Sequence, residues 1–253
     1  CLFLLIFVAF CSYLIRFSSC QPSGYSQTVA TFYENPTSPG SGNILKSCGL
    51  ENDVASATYN AMITAGNQAF FKQSSGCGAC YQVCVCVYQN PHCSGNPMTV
   101  TLTNECPRAC NNDPVHFDIS GIAFRKLAKF GEASQIYNAG RILIFHQRVA
   151  CNYNTNILFK VDKGFNPNFY ADTSEVVDGD GDLSLVKIQT SNLSWVLMQR
   201  MTGATWNVGT QPDTQKPPFT SETKQSVTAL NVIPDGWQPR SIYKSNVNFP
   251  NNL

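Results

Sequence analysis

Cysteine stops at about three fifths of the way along this chain. All 12 cysteines of its 253 residues stand at or before Cys151. Cys1, Cys11 and Cys20 belong to an apolar leader; the rest stand at 48, 77, 80, 84, 86, 93, 106, 110 and 151. Cysteine usage therefore divides the chain near residue 152. The first part reads as a disulfide framework, and nothing beyond is tied by sulfur. Nine is odd, so one thiol is left over or pairs between molecules. "CGAC" (Cys77 to Cys80) has the spacing of a redox or zinc knuckle, but no second such pair with histidines follows. No metal and no cofactor are expected.

A disulfide framework needs an oxidising compartment, and the N-terminus offers a route to one. "LFLLIFVAFCSYLI" has the length of a signal-peptide core, and small residues in "RFSSCQPS" suit cleavage near Cys20. Residues 1–20 are expected to be an N-terminally incomplete signal peptide. A membrane anchor is the competing reading. A secreted, extracellular protein is the expectation. Asn192-Leu193-Ser194 is an acceptable glycosylation sequon, with Asn192 as acceptor.

Charge excludes some partners. Charged residues make up 13% of the chain and the formal net charge is +1. With no basic patch, neither nucleic acid nor nucleotide is expected. A near-neutral, aromatic-bearing secreted chain suits a neutral partner such as a polysaccharide. A monomer is expected.

The local patterns are those of short strands bounded by turn residues. In the first part these are "ATFY", "CYQVCVCVY", "MTVTLTN" and "RILIFHQRV". One segment differs: "SGIAFRKLAKFG" places Ile122, Phe124, Leu127, Ala128 and Phe130 at helical spacing, with Gly131 as a stop. Beyond residue 156, "ILFKVD", "LSLVKIQ", "WVLMQRM", "TWNVG", "FTSET" and "SVTALNVIP" alternate with turns, the pattern of a β-sandwich. Trp195, Trp206 and Trp237 are read as core residues. "VDGDGDLS" is like part of a calcium loop but lacks the bidentate Glu, so Asp-Gly turns between two strands are the preferred reading.

Chemistry concentrates in "DPVHFDIS". In a strand, His116 and Asp118 share one face and Phe117 takes the other. A paired imidazole and carboxylate suits acid/base work; the plainer reading is that His116 caps the following helix or packs near Phe117. Inverting hydrolysis of a glycoside needs a second carboxylate, about 6.5–9.5 Å from the first. "LTNECP" offers only the amide Asn104 there, with Glu105 pointing to the opposite face, and "SGNILKSCG" offers the amide Asn43. An amide can hydrogen-bond but cannot take a proton from water. The acid is present and its base is missing.

In this order, "ATFY", "SCG", "GCGACYQV", "CSGNP", "HFDIS", "NAG", "RVACNY", "NPNFY", "DGDGDL" and "NVIPDGWQP" resemble plant expansins, the β-expansin branch in particular. The resemblance implies an all-β chain of two domains. Residues 21–153 would form a six-stranded double-psi β-barrel, like that of family-45 glycoside hydrolases. Residues 154–253 would form an immunoglobulin-like β-sandwich that binds carbohydrate. It implies wall loosening at acid pH without hydrolysis, on cellulose and xylan-type matrix glycans of the cell wall. The alternatives are a divergent relative that only binds polysaccharide, and an endoglucanase with an unrecognised base.

Residue by residue, the resemblance puts Thr31, Phe32 and Tyr33 in a groove with the acid-like pair His116 and Asp118, with Asn43 and Asn104 nearby and Phe169 on the second domain. It implies disulfides Cys48–Cys77, Cys80–Cys151 and Cys86–Cys93. Cys106 and Cys110 are close enough to close a small loop. Cys84 is the odd one, or competes with Cys86 for Cys93. The departures are a groove tryptophan that is Phe32 here, aspartates that are Asn43 and Asn104, and aromatic platforms that are Phe169 and Thr202. Each lost platform should weaken binding by roughly 1–3 kcal/mol.

Overall fold

The structure is a computed structural model. It describes residues 23–40, 47–84, 89–164, 169–189, 195–209, 218–221, 225–234 and 236–253. The expected signal peptide over 1–20, and the residues Asn43, Cys86 and Asn192, lie outside the described residues.

Six strands close a barrel: β1 (Ser26–Tyr33), β2 (Ile63–Gly66), β3 (Cys80–Cys84), β4 (Met98–Glu105), β5 (His116–Ser120) and β6 (Ile142–Val149). Their order is β1-β5-β2-β4-β3-β6, and β6 returns to β1. The β1–β5 and β2–β4 pairs are parallel; the other four are antiparallel. The period-two alternation sorts the faces. Ala30, Val100, Leu102, Phe117, Ile119 and Ile144 fill the interior, each fully buried. Each large apolar side chain removed from water here contributes about 1.5–3 kcal/mol. The ring of His146 also lies inside, edge-on to Phe70 and Phe117.

Three short helices flank the barrel: α1 (Gln68–Phe71), α2 (Gly121–Lys126) and α3 (Ala133–Ala139). The Ser120 hydroxyl caps α2 by accepting the Ala123 N–H at 3.2 Å. The helical spacing predicts a helix reaching Phe130, but α2 ends at Lys126 and Phe130 is fully exposed. The cause is a competing ladder. Ser94 N–H donates to the Leu127 carbonyl and Lys129 N–H to the His92 carbonyl, so this backbone pairs with residues 92–94 instead of continuing the helix.

Among the described residues, nine strands form the sandwich: β7 (Leu158–Val161), β8 (Tyr170–Glu175), β9 (Leu183–Ile188), β10 (Val196–Leu197), β11 (Gln199–Thr202), β12 (Thr205–Val208), β13 (Pro218–Ser221), β14 (Ser226–Thr228) and β15 (Ile242–Lys244). One sheet runs β10-β9-β13-β14 and the other β11-β12-β8-β7-β15. Phe159, Tyr170, Val186, Trp206 and Trp237 are among the core residues between them. The single predicted strand "WVLMQRM" is two. β10 joins one sheet and β11 the other, with Met198 buried at the corner. Trp195, expected in the core, is 39% exposed beside β10.

Among the described residues, three disulfides tie the first unit and its exit: Cys48–Cys77, Cys80–Cys151 and Cys106–Cys110. The expected partner of Cys93, Cys86, lies outside the described residues. Cys93 is a free thiol, fully buried among the barrel's core residues and bridged by its backbone to Ala128. Cys84 is also free, but packs in a separate small cluster with Phe145 and Tyr25. Neither sulfur faces the other's cluster, so the alternative Cys84–Cys93 bond is not formed.

The Asp-Gly turns of residues 178–182 join β8 to β9, which lie in different sheets, and they lock the sandwich to the barrel. Asp178, Asp180 and Asp182 are all buried. Asp178 Oδ1 accepts the Tyr153 N–H at 2.7 Å, and Cys151 and Gly179 exchange backbone hydrogen bonds. The Arg148 guanidinium donates to Asp182 Oδ1 at 2.7 Å and to the Asp180 carbonyl. Gly181 has φ +76°, and a Cβ there would lie 2.3 Å from the Gly78 carbonyl oxygen, so only glycine allows this approach. The Asp178 and Asp182 carboxylates are thus committed to the seam.

Candidate functional site

The outer face of β1 and β5 carries the residues expected to line the groove. In register, Val29 stands beside His116, Thr31 beside Asp118 and Tyr33 beside Ser120. On the other side of β5, β2 places Ala65 opposite Asp118. β4 places Asn104 opposite Ala65. That last pairing depends on a bulge. Thr64 pairs with Leu102, but its neighbour Ala65 pairs with Asn104, so Thr103 is the extra residue. A bulge of one residue moves the residues after it to the other face. Thr31, Asp118, Ala65 and Asn104 therefore make one row across four strands.

Thr31 is the hub. Its hydroxyl lies 2.6 Å from Asp118 Oδ1 and 2.8 Å from His116 Nε2. The other ring nitrogen, Nδ1, lies 2.7 Å from Asp113 Oδ2. Arg141 then grips both oxygens of Asp113, at 2.9 and 2.7 Å. This bidentate fork is the strong form of a carboxylate contact. His116 is 3% exposed, whereas Asp118 is only half-buried. The chain Arg141–Asp113–His116–Thr31–Asp118 runs from the surface to the groove.

The two aspartates are pushed in opposite directions. Hydrogen bonds from Arg141, then from His116, hold Asp113 down at about 2. Burial pushes Asp118 above the usual carboxylate range, against the Thr31 hydrogen bond and the His116 charge, which lower it. Tyr33 forms a wall: burial, with the nearby Asp118 charge next, raises its phenol well above normal. The Sγ of Cys106 lies 3.6 Å from Asp118 Oδ2. Cys106, Cys110 and Asp118 bring their ligand atoms within 4.8 Å of one another, but the two sulfurs are bonded together and offer no thiolate to a metal.

The structure separates other residues from this group. Phe32, expected in the groove, is on the opposite face. Its ring stacks 3.6 Å from that of Tyr137 and 4.9 Å from that of Phe124, against the barrel core. The cause is the strand period, which cannot turn Thr31, Phe32 and Tyr33 the same way. Asn104 is buried, and its Oδ1 accepts the N–H groups of Ser47 and Glu105 at 3.1 and 3.0 Å. Glu105 accepts from Gln68 Nε2 at 2.6 Å beside α1. Phe169 is half-buried just before β8, and Thr202 donates to the Ser47 carbonyl at the seam. Asp113 and Arg141 carried no functional reading in the sequence. The one available signal was that Asp113 stands three residues before His116.

A cavity of about 520 Å³ opens instead at the seam. Glu51, Asp53 and Asp162 line it together with Lys160, Lys163 and Arg240, so it offers no single sign of charge to a ligand.

Similarity to known proteins agrees with this architecture. The double-psi β-barrel model described as Lytic transglycolase matches residues 63–145, and the Expansin C-terminal domain matches 157–234. Expansin-B4 of Arabidopsis thaliana is 40% identical over 247 residues, 93% of each chain. Expansin-B1 of Zea mays is 38% identical, over 87% of this chain and 82% of its own. The crystal structure of a substituted Clavibacter michiganensis expansin in complex with cellohexaose superposes with a TM-score of 0.65 at 18% identity, over 89% of this chain and 98% of that one. A barrel with this strand order, a sandwich locked to it through the DGDGD turns, and sequence identity across nearly the whole length together place the chain in the expansin family, in its B group.

Proposed function

We propose that this chain is a secreted cell-wall protein that binds wall glucans along the barrel groove and loosens their contacts at acid pH without cleaving them. The observation that carries this is the row Thr31–Asp118–Ala65–Asn104. Asn104 stands two strand spacings from Asp118, about 10 Å at the backbone. That is near where an inverting hydrolase needs its second carboxylate. The amide there cannot take a proton from water, and its oxygen is already used by two backbone N–H groups. Asp113, the other carboxylate of the network, has both oxygens held by Arg141 and is not free to activate water. Asp118 can protonate or hydrogen-bond a glycosidic oxygen, but no paired base completes hydrolysis among the described residues. The cellohexaose held by the bacterial structure makes a β-glucan the natural ligand class to test.

A second reading, a binder that does not loosen, is favoured by the aromatic surface. Of the three tryptophans, Trp206 and Trp237 are buried and only Trp195 is substantially exposed. One assay separates the readings. The purified protein is added to heat-inactivated plant walls under constant load at acid pH, and released reducing sugar is measured in the same sample. Extension without sugar is the expected result. Sugar release would overturn the non-hydrolytic reading. Co-sedimentation with walls but no extension would leave the binder.

A further inference from the structure

We propose that Thr31 makes His116 and Asp118 a one-proton pair, and that Asp113 and Arg141 are positioning residues that set how tightly His116 holds that proton. This rests on the reading of Asp118 as the working acid of the groove. The geometry is a hydroxyl at hydrogen-bond distance from two titrating groups, 2.6 Å on one side and 2.8 Å on the other.

A hydroxyl has one proton to give. Asp113 is ionised, since Arg141 and His116 hold it at about 2, so it only accepts. His116 Nδ1 must therefore carry a hydrogen, and only Nε2 is free to change. If the pair holds one proton, two arrangements satisfy every group. In the first, Asp118 is ionised and His116 is imidazolium; Thr31 donates to Asp118 and accepts from Nε2–H. In the second, Asp118 is protonated and donates to Thr31, which donates to a neutral Nε2. They interconvert when the Asp118 O–H breaks as the Thr31 proton moves to Nε2, and Thr31 takes the proton that Asp118 gives up. Two O–H bonds break, one O–H and one N–H form, and nothing enters or leaves.

With no proton on the pair, Thr31 can donate to only one of its two acceptors. With two protons, it faces two donors and its own hydrogen has no partner. The hydroxyl therefore favours the singly protonated pair and widens the pH interval over which it exists. Glu34, which follows β1 and whose charge also reaches Tyr33, accepts from the Ser38 hydroxyl. Tyr33 of β1 stays neutral, β2 presents Ala65, β4 presents the amide Asn104, and the sulfur of the Cys106–Cys110 bond carries no proton. The one cation in the network is Arg141. It draws on Asp113 and so weakens that carboxylate's hold on an imidazolium.

The test is NMR titration of the free protein, following assigned His116 ring nitrogens and the Asp118 carboxyl carbon. In the wild type, both signals should move at both of two shared midpoints. Thr31→Val keeps the shape of the side chain and removes the hydroxyl. It should bring the midpoints together by about one pH unit, a tenfold change in the proton equilibrium. Asp113→Asn should lower the upper midpoint by about one unit and Arg141→Gln should raise it, as expected for losing an opposite and a like charge. General loosening of the fold would not give shifts of opposite sign. Arg141 is about half-exposed, so its variant keeps the test available if Asp113→Asn does not fold. Midpoints that stay equally far apart in Thr31→Val would overturn the one-proton pair. Shifts of the same sign in the other two variants would overturn the positioning roles. No polysaccharide is present, so a chain that fails the wall assay can still pass this one.

Discussion

The groove and the sandwich side of the seam both take carboxylates out of water, and they treat them differently. In the groove, each aspartate is met by donors: Thr31 for Asp118, His116 and Arg141 for Asp113. In β8, Asp172 and Glu175 are each 2% exposed, and each leaves one oxygen with no hydrogen-bond partner. Lys160, whose charge lowers Glu175 somewhat, pairs with Asp53 and Glu51, at 2.5 and 3.3 Å. Burial then pushes Glu175 up to about 8, with the Asp53 charge adding to it, and Asp172 to about 7. Asp113, held by two charged donors, stays ionised, while Asp118, half-buried beside Thr31, is placed to exchange a proton. Asp172 accepts from the Tyr170 hydroxyl at 2.8 Å, yet burial pushes it and Glu175 toward the neutral acid, and they act on stability instead.

Asp118→Asn is the most severe way to break that contrast. It keeps an acceptor for Thr31 but removes the titrating group. Wall extension should fall to background while the thermal midpoint stays within a few degrees of the wild type. Full extension by a folded variant would remove Asp118 from the mechanism.

The disulfides divide the two regions in a second way. Cys80–Cys151 spans 71 residues. Replacing both cysteines with serine should cost roughly 4 kcal/mol by the chain-entropy estimate for a loop of that size. All three tryptophans lie beyond Cys151, so indole fluorescence reports on the sandwich and far-ultraviolet dichroism on both units. The dichroism midpoint should fall while the indole midpoint lags. Coincident loss would mean that the seam formed by Arg148, Asp182 and the Gly78–Gly181 contact makes both units one cooperative block.

Glu175 and Asp172 set the response of the sandwich side of the seam to pH. Between the ordinary glutamate value of 4.5 and about 8, the folded chain keeps a proton on Glu175 that the unfolded chain has released. Stability from Glu175 is therefore fully present below about pH 4.5 and falls as pH rises toward 8, and that from Asp172 is lost between 3.8 and about 7. Glu175→Gln is neutral at every pH. It should be more stable than the wild type at pH 8 by on the order of 3 kcal/mol, and equal to it near pH 4.5. Denaturant melts at both values check this, and a wild type that is as stable at pH 8 as at pH 5 contradicts it.

How much of this was legible in the sequence depends on the same physics. β1, β5 and β6 alternate because one face meets the core and the other does not, so "ATFY", "HFDIS" and "RILIFHQRV" could be read as strands. β8 could not. "YADTSE" looks polar, yet all six residues are buried, because the barrel covers one face and the sandwich core the other. His116 and Asp118 were visible as a pair, since their spacing is local. Arg141 was not, because 28 residues separate it from Asp113 and only the closing of the barrel brings them together. The bulge at Thr103 was hidden as well. The position of Asn104 opposite Ala65 rests on a register shift that no composition announces.

The last contrast lies within β1 itself, where two faces one residue apart have different fates. Thr31 faces the groove, and Phe32 packs between Phe124 and Tyr137. If Phe32 were a sugar platform, Phe32→Trp should tighten binding, since indole offers a larger flat face and an N–H. In the packed site, the larger ring has to displace Tyr137, whose ring centroid is already 3.6 Å away. Overpacking of that kind costs about 1–3 kcal/mol. The expected result is a lower thermal midpoint with unchanged retention on cellulose. Tighter retention at unchanged stability would return Phe32 to the groove and show that β1 twists further than its register implies.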